Sequence, residues 1–500
     1  MSGEQSVLEV RIKGSVTVAV PHDLTLATPY ILLEQEDWFE PEIAFVRGLV
    51  RPGMHLLDIG ANYGVYALTM AQLAGSDGAV CAVEPTPQTA DYLQKSILLN
   101  GLNNIRLMRV ALSNREGEVE IFCSPHSELN SLQARPGLVP QKVPLMTLDG
   151  CLAACGWDRV DFIKLDAEGE ELRVLEGGGE TLTSSQPLIQ MEVRHGGQLH
   201  LVPVFRLVEQ GYRVYRLIPG LNILAPCDPS PEMENPPLNL FLCTDERARR
   251  LELEGHLVSH HSKAAPLATC RLHNQWPKAL LTRPFSQPLR SDWVEPKTQD
   301  GIRYALALHH YMAAQEDQQP PVQRLAWLRE ALAGFRQTAA QRPSFSRLSS
   351  LARCAIALGE ARLARETLPK IQAILGTEQG QGALDEPLLP VSQRFEEISP
   401  QDDPMAWRLV GLLETMQKIN AHSSYYSGTH DEALLGALVQ YPYHGAEVER
   451  RLQLIRMRCG RQMGPSKDTG MNGTETLNPH FWDVVAGKMD AMGKVETVRT

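Results

Sequence analysis

A turn of small residues lies between two apolar stretches in the segment MHLLDIGANYGVYALTMA, which begins at Met54. Asp58 lies near the end of the first stretch, the turn runs from Gly60 to Gly64, and helical spacing follows. A glycine turn between a strand and a helix can bring backbone amides to a phosphate or hold another nucleotide-like cofactor. The same pattern also occurs in loops that serve packing alone. The segment therefore predicts a cofactor site and leaves the cofactor open.

Two phosphate-binding patterns can be compared with this turn. A triphosphate-binding P-loop needs G-x-x-x-x-G-K-[ST], and neither lysine nor serine follows Gly64. A dinucleotide site uses G-x-G-x-x-G, whose middle glycine lets the backbone approach a pyrophosphate. Asn62 stands where that middle glycine is expected. The turn therefore excludes a P-loop and disfavours a dinucleotide.

S-adenosylmethionine is a third class of cofactor, with an ammonium, a sulfonium and a ribose but no phosphate. Asp58, beside the turn, suits the ammonium, and Glu84, in AVEP at the end of the next strand, can accept hydrogen bonds from both ribose hydroxyls. NAD sites also bind their ribose through a carboxylate, so Glu84 alone does not discriminate. An acid after a strand can also be only a helix cap. The combination of both acids favours S-adenosylmethionine.

From about residue 51 the chain alternates between strand-like and helix-like segments. The strands, such as HLLDI and VDFIKLD, are short and almost continuously apolar, which is typical of a parallel sheet buried on both faces. The alternation predicts a doubly wound α/β domain. Ligands of such sheets bind beyond the carboxyl ends of the strands, where Asp58, Glu84 and Asp166 all fall.

Further strands are expected on either side of this core pattern. NIRLMRVAL predicts a third strand, and EVEIF and QKVPLMTL predict two extra short strands. The last two strands, YRVYRLI and LNLFLC, are joined by residues 219–237, which show no clear helical pattern. Without a helix to cross over the sheet, an antiparallel edge strand is expected there.

The second half of the chain has a helical pattern. In CAIALGEARLARETL a glycine turn separates two helices, as in one tetratricopeptide-type repeat, although no clean second copy follows. The sequence thus predicts five regions. They are an N-terminal lead-in (1–50), an α/β domain (51–250), a linker (251–298), an α-helical, repeat-like domain (299–460) and a flexible tail (461–500).

Composition narrows the classes of protein. The 500 residues carry a formal net charge of −11, which weighs against a general nucleic-acid binder. No apolar run approaches the ~18 residues of a membrane span. Nine dispersed cysteines are not typical of a disulfide framework, and the N-terminus shows no signal-peptide core. We therefore expect a cytoplasmic protein.

The motifs, taken in order, resemble the FkbM-type methyltransferase family over about residues 36–243. The resemblance is carried by D-x-G-A-N-x-G, by AVEPTPQTADYLQKSILLN and by D-F-I-K-x-D-x-E-G-x-E. It implies a Rossmann-like class I methyltransferase fold with a mostly parallel sheet and S-adenosylmethionine as methyl donor. It also implies that the acceptor is usually a hydroxyl oxygen, on a carbohydrate, polyketide or related compound.

The resemblance also implies site residues. It places Asp166 and Glu168 at the methyl-transfer cleft, matches Glu40 and makes Glu42 a weaker candidate there. The cofactor-binding residues that it implies are Asp58, Gly60, Ala61, Asn62, Gly64, Glu84, Ala111, Leu112 and Ser131.

Transfer of a methyl group to a hydroxyl requires a base within hydrogen-bond reach. We hypothesise that His195, which closely follows the strand PLIQMEV, is this base, with Asp166 or Glu168 orienting it or the acceptor. A loop histidine bonded to the backbone is the competing interpretation. A divalent metal on Asp166 with Glu192 or His195 is an alternative without support from ligand spacing, so no metal site is predicted.

Three functions remain open from the sequence. The first is an S-adenosylmethionine-dependent methyltransferase, with a small-molecule or glycan acceptor and a helical domain that binds a protein partner or the substrate. The second is an NAD-type oxidoreductase. The third is an inactive methyltransferase scaffold that acts through its helical domain. The oligomeric state is not predicted.

Overall fold

A computed structural model of the chain describes most of its length. The described residues are 7–123, 139–195, 198–233, 235–259, 276–377, 382, 384–400, 403–460, 476–478 and 481. No described helix combines the length and apolar character that crossing a membrane requires.

The N-terminal residues form an antiparallel hairpin and two helices. Tyr30 and Phe45 from these helices are fully buried in the same core as Leu56 of the central sheet. The expected lead-in is therefore an integral part of the α/β core. Its elements are β1 (Val7–Ile12), β2 (Val16–Pro21), α1 (Ala27–Gln35) and α2 (Glu42–Leu49).

The central sheet has eight strands in the order β14-β13-β15-β10-β9-β3-β4-β5. The run from β10 to β5 is parallel throughout, as near-continuously apolar strands predict. The strands are β3 (His55–Ile59), β4 (Ala79–Val83), β5 (Ile105–Met108), β9 (Phe162–Leu165), β10 (Leu188–Glu192), β13 (Tyr212–Ile218), β14 (Ile223–Pro226) and β15 (Asn239–Thr244).

The antiparallel strand lies in a different place from the one expected. LNLFLC forms β15, which is antiparallel to both β10 and β13 and lies between them, inside the sheet. The edge is instead β14, which pairs with β13 as a hairpin within residues 219–237. Because β14 pairs along one edge of β13, β15 pairs along the other edge and lies between β13 and β10. The four residues of β14 are too few to show an alternating pattern in the sequence.

The predicted third strand is two strands. Its first half is β5, and its second half is β6 (Ala111–Ser113), which leaves the central sheet to join a smaller one of order β6-β8-β7. The two extra strands predicted from EVEIF and QKVPLMTL are confirmed as β7 (Gly117–Cys123) and β8 (Val139–Thr147).

Helices cover both faces of the central sheet. Leu56 and Leu57, neighbours on β3, point to opposite faces. Leu56 packs in one core with Ala67 and Leu93, and Leu57 packs in a second core with Val204. The helices are α3 (Val65–Ala74), α4 (Pro87–Leu99), α5 (Leu148–Cys155), α6 (Glu171–Glu176), α7 (Gly179–Ser184), α8 (Val202–Glu209) and α9 (Asp245–Leu253), and a small hairpin, β11 (Arg194–His195) with β12 (Gln198–Leu199), follows β10. A doubly wound α/β domain is confirmed.

The second half of the chain is helical, as predicted, and has its own core. Phe285 and Leu289, from the segment expected as a linker, are buried in that core. Gly359 makes the predicted turn between two helices, with a left-handed φ of 75°. The helices are α10 (Lys278–Leu281), α11 (Gln299–Ala314), α12 (Pro321–Gln341), α13 (Phe345–Leu358), α14 (Ala361–Leu375), α15 (Pro404–Asn420), α16 (Ser424–Ser427), α17 (Glu432–Leu438) and α18 (Ala446–Arg458).

The helical half is joined to the α/β half through buried polar contacts. Glu34 on α1 is 0% exposed and accepts a hydrogen bond from the Ser424 amide at 3.0 Å. Arg451 Nη2 lies 3.3 Å from the Glu34 carboxylate. At a second place, the Gly220 amide donates to the Ala357 carbonyl at 2.8 Å. Because breaking a buried ion pair is costly, these contacts fix the helical half over the sheet.

Candidate active site

One cavity of about 1340 Å³ opens at the carboxyl ends of the parallel strands. Its floor is built by the residues after β3, β4 and β9, as expected for an open α/β sheet. Its other wall comes from the helical half. The residues on that wall are Gly359, Ala361, Arg365, Ile419, His422, Tyr425 and Tyr426.

Gly60 has no room for a side chain. Its φ is 75°, and a β-carbon there would lie 1.9 Å from the Asp166 carbonyl oxygen. The Gly60 and Ala61 amides both donate to the Val83 carbonyl, at 3.0 Å and 2.9 Å. The turn after β3 is therefore packed directly against the ends of β4 and β9, which only glycine allows.

Glu84 holds the next part of the turn. Its carboxylate accepts from the Asn62 amide at 2.9 Å and from the Thr86 amide at 2.8 Å. Burial raises the pKa of Glu84, and these amides oppose the rise. Asn62 has a left-handed φ of 49°, and its buried Oδ1 has no hydrogen-bond partner among the described residues. The turn thus presents an unsatisfied polar atom at the cavity.

Gly64 has a different position from the rest of the turn. It starts α3 with a φ of 96°, and a β-carbon there would lie 2.3 Å from Leu93 Cδ1. Its surroundings are the packing between α3 and α4, and it does not line the cavity. The cofactor contact predicted for Gly64 stays a prediction, and its observed contribution is to the shape of the turn.

Asp58, Lys164 and Asp166 form a charged group at the floor of the cavity. Lys164 Nζ lies 2.9 Å from Asp166 Oδ2 and 4.0 Å from Asp58 Oδ1. Burial raises the pKa of Asp58 to about 6, while Lys164 opposes the rise. Among the described residues, both Asp58 oxygens and Asp166 Oδ1 lack a hydrogen-bond partner. Buried polar atoms without partners are rare in folded proteins, so these three are candidates for ligand contacts.

Lys164 is a cavity residue that the sequence analysis did not single out. Burial alone would lower the pKa of its ammonium, but the carboxylates of Asp166, Asp58 and Glu40 raise it. The ammonium also lies 5.4 Å from the centre of the Tyr66 ring. A lysine in the otherwise apolar strand FIKL is the signal that could have revealed it, because buried charges need partners.

Three more carboxyl groups line the cavity. Glu40 accepts from the Tyr66 hydroxyl at 2.8 Å, and burial raises its pKa. Burial and the charge of Glu40 raise the pKa of Glu42 to about 8. Burial, with the charges of Asp166 and Glu40, raises the pKa of Glu192 to about 9. At neutral pH, Glu192 is therefore mainly protonated and can donate a hydrogen bond.

The residues that build this floor fall within a recognised sequence family. Residues 58–214 match the model of the methyltransferase FkbM domain. The predicted resemblance is confirmed for these residues, and with it the S-adenosylmethionine-dependent methyltransferase class of the α/β domain. The match does not extend into the helical half, where the tetratricopeptide-like repeat stays a prediction.

The three known proteins described next each match less than half of this chain. The 2-O-methyltransferase NoeI of Sinorhizobium fredii is 29% identical over 188 residues, which cover 32% of this chain and 76% of NoeI. A crystal structure of the methyltransferase FkbM from Methylobacillus flagellatus is 16% identical, with a TM-score of 0.28, and covers 41% of this chain and 50% of that one. A SAM-dependent methyltransferase from Aquifex aeolicus is 16% identical, with a TM-score of 0.24, over 43% of this chain and 91% of that one.

Of the five other predicted site residues, three line the cavity and two cannot be located by their side chains in the described structure. Ala111 and Leu112 line the cavity, as does Glu168, which lies exposed at the rim with a φ of 51°. The backbone of His195 belongs to β11, and its side chain lies outside the described part of the structure. Ser131 also lies outside the described residues. The roles of all five stay predictions.

Within the described ranges, one group of three metal-ligating side chains meets the distance expected of a metal site. Cys81, Cys151 and Cys155 have sulfur atoms within 4.8 Å of one another. They lie between β4 and α5 and do not line the cavity. The described carboxylates of the cavity do not form such a group, and the absence of a metal on Asp166 stays a prediction.

The raised pKa of Glu42 is expected to make the α/β half less stable at high pH. Unfolded glutamate ionises near 4.5, whereas the folded residue ionises near 8. The folded state therefore loses stability as pH rises between these values. We expect Glu42→Gln to raise the free energy of unfolding at pH 8.5 by on the order of 2 kcal/mol and to leave it unchanged at pH 4.

Chemical denaturation of both proteins at the two pH values tests this expectation. Glu118→Gln, on an exposed glutamate of β7, is the matched control and leaves the free energy of unfolding unchanged at both. A Glu42→Gln protein that is equally stabilised at pH 4 and pH 8.5 would show that ionisation of Glu42 is not the cause.

Proposed function

We propose that the protein is an S-adenosylmethionine-dependent methyltransferase that methylates a hydroxyl oxygen of a carbohydrate or natural-product acceptor. The observation that carries the proposal is the Asp58 carboxylate, whose two buried oxygens have no hydrogen-bond partner in the described parts of the chain and lie beside a turn without room for a β-carbon. A buried carboxylate of this kind fits a cationic ligand. The name of the relative NoeI, a 2-O-methyltransferase, supports an oxygen acceptor.

The residues fit the donor in three places. Asp58 would bind its ammonium, the turn from Gly60 to Asn62 would lie against its amino-acid end, and Glu84 would accept from its ribose. Glu84 keeps acceptor capacity for this, because its carboxylate has about four lone-pair sites and accepts from the Asn62 amide and from the amide and side chain of Thr86. The donor supplies an already activated methyl group, so the protein contributes mainly positioning and proton removal.

Asp166 is the best-placed acceptor for the hydroxyl proton. Its Oδ2 is held by Lys164 at 2.9 Å, and its Oδ1 is without a partner among the described residues. The raised pKa of Glu192 keeps that group protonated at neutral pH, so it suits binding of the acceptor better than proton removal. His195 stays the alternative base. A carboxylate fixed by an ammonium can orient and deprotonate a hydroxyl that lies within hydrogen-bond reach.

The competing functions have less support. An NAD-type oxidoreductase would need backbone donors for a pyrophosphate, and the Asn62 amide is instead used by Glu84. An inactive scaffold would not need buried carboxylate oxygens such as those of Asp58 and Asp166 Oδ1, which lack a hydrogen-bond partner among the residues described and are costly to keep buried. A cytoplasmic location and a protein partner for the helical half stay predictions.

Binding of S-adenosylhomocysteine, the demethylated product, tests the proposal by its pH dependence. Because the pKa of Asp58 is about 6, the carboxylate is ionised above that value and becomes neutral below it. We expect the affinity to be constant from pH 7 to 8 and to fall by up to about tenfold per pH unit below pH 6. Asp58→Asn is expected to bind about 10 to 100 times more weakly at pH 7.5 and to lose this pH dependence.

Isothermal titration calorimetry measures both effects. The control is Asp77→Asn, on an exposed residue between α3 and β4, which keeps the affinity and the pH profile of the wild type. Unchanged binding by Asp58→Asn, or tight binding of NAD with no response to S-adenosylhomocysteine, would contradict the proposed function.

A further inference from the structure

We infer that the acceptor carries an anionic oxygen group, a phosphate or a carboxylate, and that Arg365 and Arg194 bind it from the two halves of the chain. This inference rests on the proposed function, because it assigns the part of the cavity that the methyl donor would leave for the acceptor.

The cavity is larger than one cofactor requires. Pockets for single small ligands measure roughly 300–1,000 Å³, and this one measures about 1340 Å³. It continues from the carboxyl ends of β3, β4 and β9 to α14, α15 and α16 of the helical half. The outer part of the cavity, between β11 and these helices, is therefore available to a second ligand.

Two arginines line this outer part without carboxylate partners. Arg194 comes from β11 and Arg365 from α14, and both side chains are exposed in the cavity. Neither has an ion-pair or hydrogen-bond partner within the described part of the chain. Arg216, also on the cavity, is different, because Glu360 neutralises it at 2.9 Å. Two guanidinium groups are therefore available to bind an anionic group of a ligand.

The two arginines come from different walls of the cavity, and the charges of both act on His422. Desolvation, and then the positive charges of Arg194, Arg365 and Arg451, lower the pKa of His422, which also lines the cavity. Arg451 is compensated by Glu34 and Glu447, whereas the other two are not. The guanidinium group presents N–H donors in a planar fork that matches carboxylate and phosphate oxygens.

Charge is separated along the cavity. The floor carries the carboxylates of Asp58 and Asp166 with a single ammonium, that of Lys164, and suits a cationic donor. The outer part carries Arg194 and Arg365 and suits an anion. Such an arrangement would orient the acceptor, with its anionic group outward and its hydroxyl towards Asp166.

Aromatic side chains also line the cavity. The Phe39 ring lies 5.6 Å from the His422 ring, and the Tyr425 ring lies 5.2 Å from the Tyr426 ring. All four line the cavity. Tyrosine combines an apolar ring with a polar hydroxyl, which suits an acceptor that is partly apolar and bears hydroxyl groups, such as a sugar.

The outer wall is fixed to the α/β half. The His422 carbonyl accepts from Gln35 Nε2 at 2.6 Å and from Arg451 Nη2 at 3.2 Å. The Tyr425 hydroxyl donates to the Thr25 carbonyl at 2.8 Å. Residues of the helical half are therefore held at a set position relative to Asp166, as a specificity-determining wall requires.

Calorimetry on the full chain, saturated with S-adenosylhomocysteine, tests the inference with three probes. Glucose 1-phosphate supplies the phosphate, glucuronate supplies the carboxylate, and glucose is the neutral control. At least one anionic sugar is expected to bind at least tenfold more tightly than glucose, and which one does so identifies the anion. Arg365→Ala and Arg194→Ala are each expected to weaken that binding by about 10 to 100 times.

Arg336→Ala is the matched control, because Arg336 is an exposed arginine of α12 that does not line the cavity. Each variant is first titrated with S-adenosylhomocysteine, which must bind as tightly as it binds the wild type. Equal binding of all three sugars, no binding of either anionic sugar, or unchanged anion binding in both arginine variants would overturn the inference. Absence of S-adenosylhomocysteine binding in the wild type would instead overturn the proposed function.

Discussion

Gly60→Ala is expected to abolish measurable binding of S-adenosylhomocysteine and to lower the free energy of unfolding by roughly 2 to 4 kcal/mol. The added β-carbon would lie 1.9 Å from the Asp166 carbonyl oxygen, a distance that forces the turn away from β9. Asp58 lies directly before this turn and Asp166 directly behind it. Displacement of the turn therefore moves the carboxylates of Asp58 and Asp166 at once.

The control for this variant separates backbone strain from the clash. Gly156, at the end of α5, also has a left-handed φ, of 70°, but a β-carbon there would meet no atom within 4 Å. Gly156→Ala is expected to cost only about 1 to 2 kcal/mol and to leave binding unchanged. Denaturation curves and calorimetry measure the two effects. Binding by Gly60→Ala equal to that of Gly156→Ala would show that close packing at Gly60 does not shape the site.

Asp166→Asn is expected to lower kcat by about 10² to 10⁴ while S-adenosylhomocysteine binds nearly as in the wild type. The asparagine keeps an oxygen for Lys164 but cannot take a proton from a hydroxyl. The measurement is transfer of a labelled methyl group to an acceptor found by screening sugars and small natural products. The pH dependence of kcat is recorded for both proteins. If Asp166 is the base, its replacement eliminates the rise in kcat that accompanies ionisation of that base.

Two further variants decide between the candidate bases. Glu168→Gln changes a carboxylate at the rim of the cavity and is expected to lower kcat far less. His195→Ala tests the histidine that the sequence suggested. A loss of activity in His195→Ala, with full activity in Asp166→Asn, would assign proton removal to His195 and leave Asp166 a positioning role.

The floor of the site could be predicted because it is local in sequence. Asp58, Glu84 and Asp166 each lie at the end of a parallel strand, and topology brings those ends together. Gly60 could be predicted for the same reason, because a turn that leads from a strand directly into a helix leaves little room for a side chain. The predicted class of cofactor rested on the charge of these residues, on the absence of P-loop residues after Gly64 and on the resemblance to the FkbM-type family.

The rest of the site depends on contacts between distant parts of the chain. Lys164 was visible only as a charge in an apolar strand, and its pairing with Asp58 and Asp166 depends on the sheet register. Arg365 and His422 lie in the helical half, and their sequence surroundings give no sign that they face the sheet. The position of β15 inside the sheet likewise follows from the β13–β14 hairpin, a tertiary event that strand propensity does not encode.

The buried contact between Glu34 and Arg451 has a consequence for how this protein relates to others with the same domain. Under the proposed function, the donor would be held by the α/β half alone, whereas the acceptor would be faced by residues of both halves, and this contact fixes how the halves lie relative to each other. Exchanging the helical half would therefore change which compound is methylated while leaving the donor site intact. Proteins that share the FkbM motifs but differ in this half are expected to use one methyl donor on different acceptors.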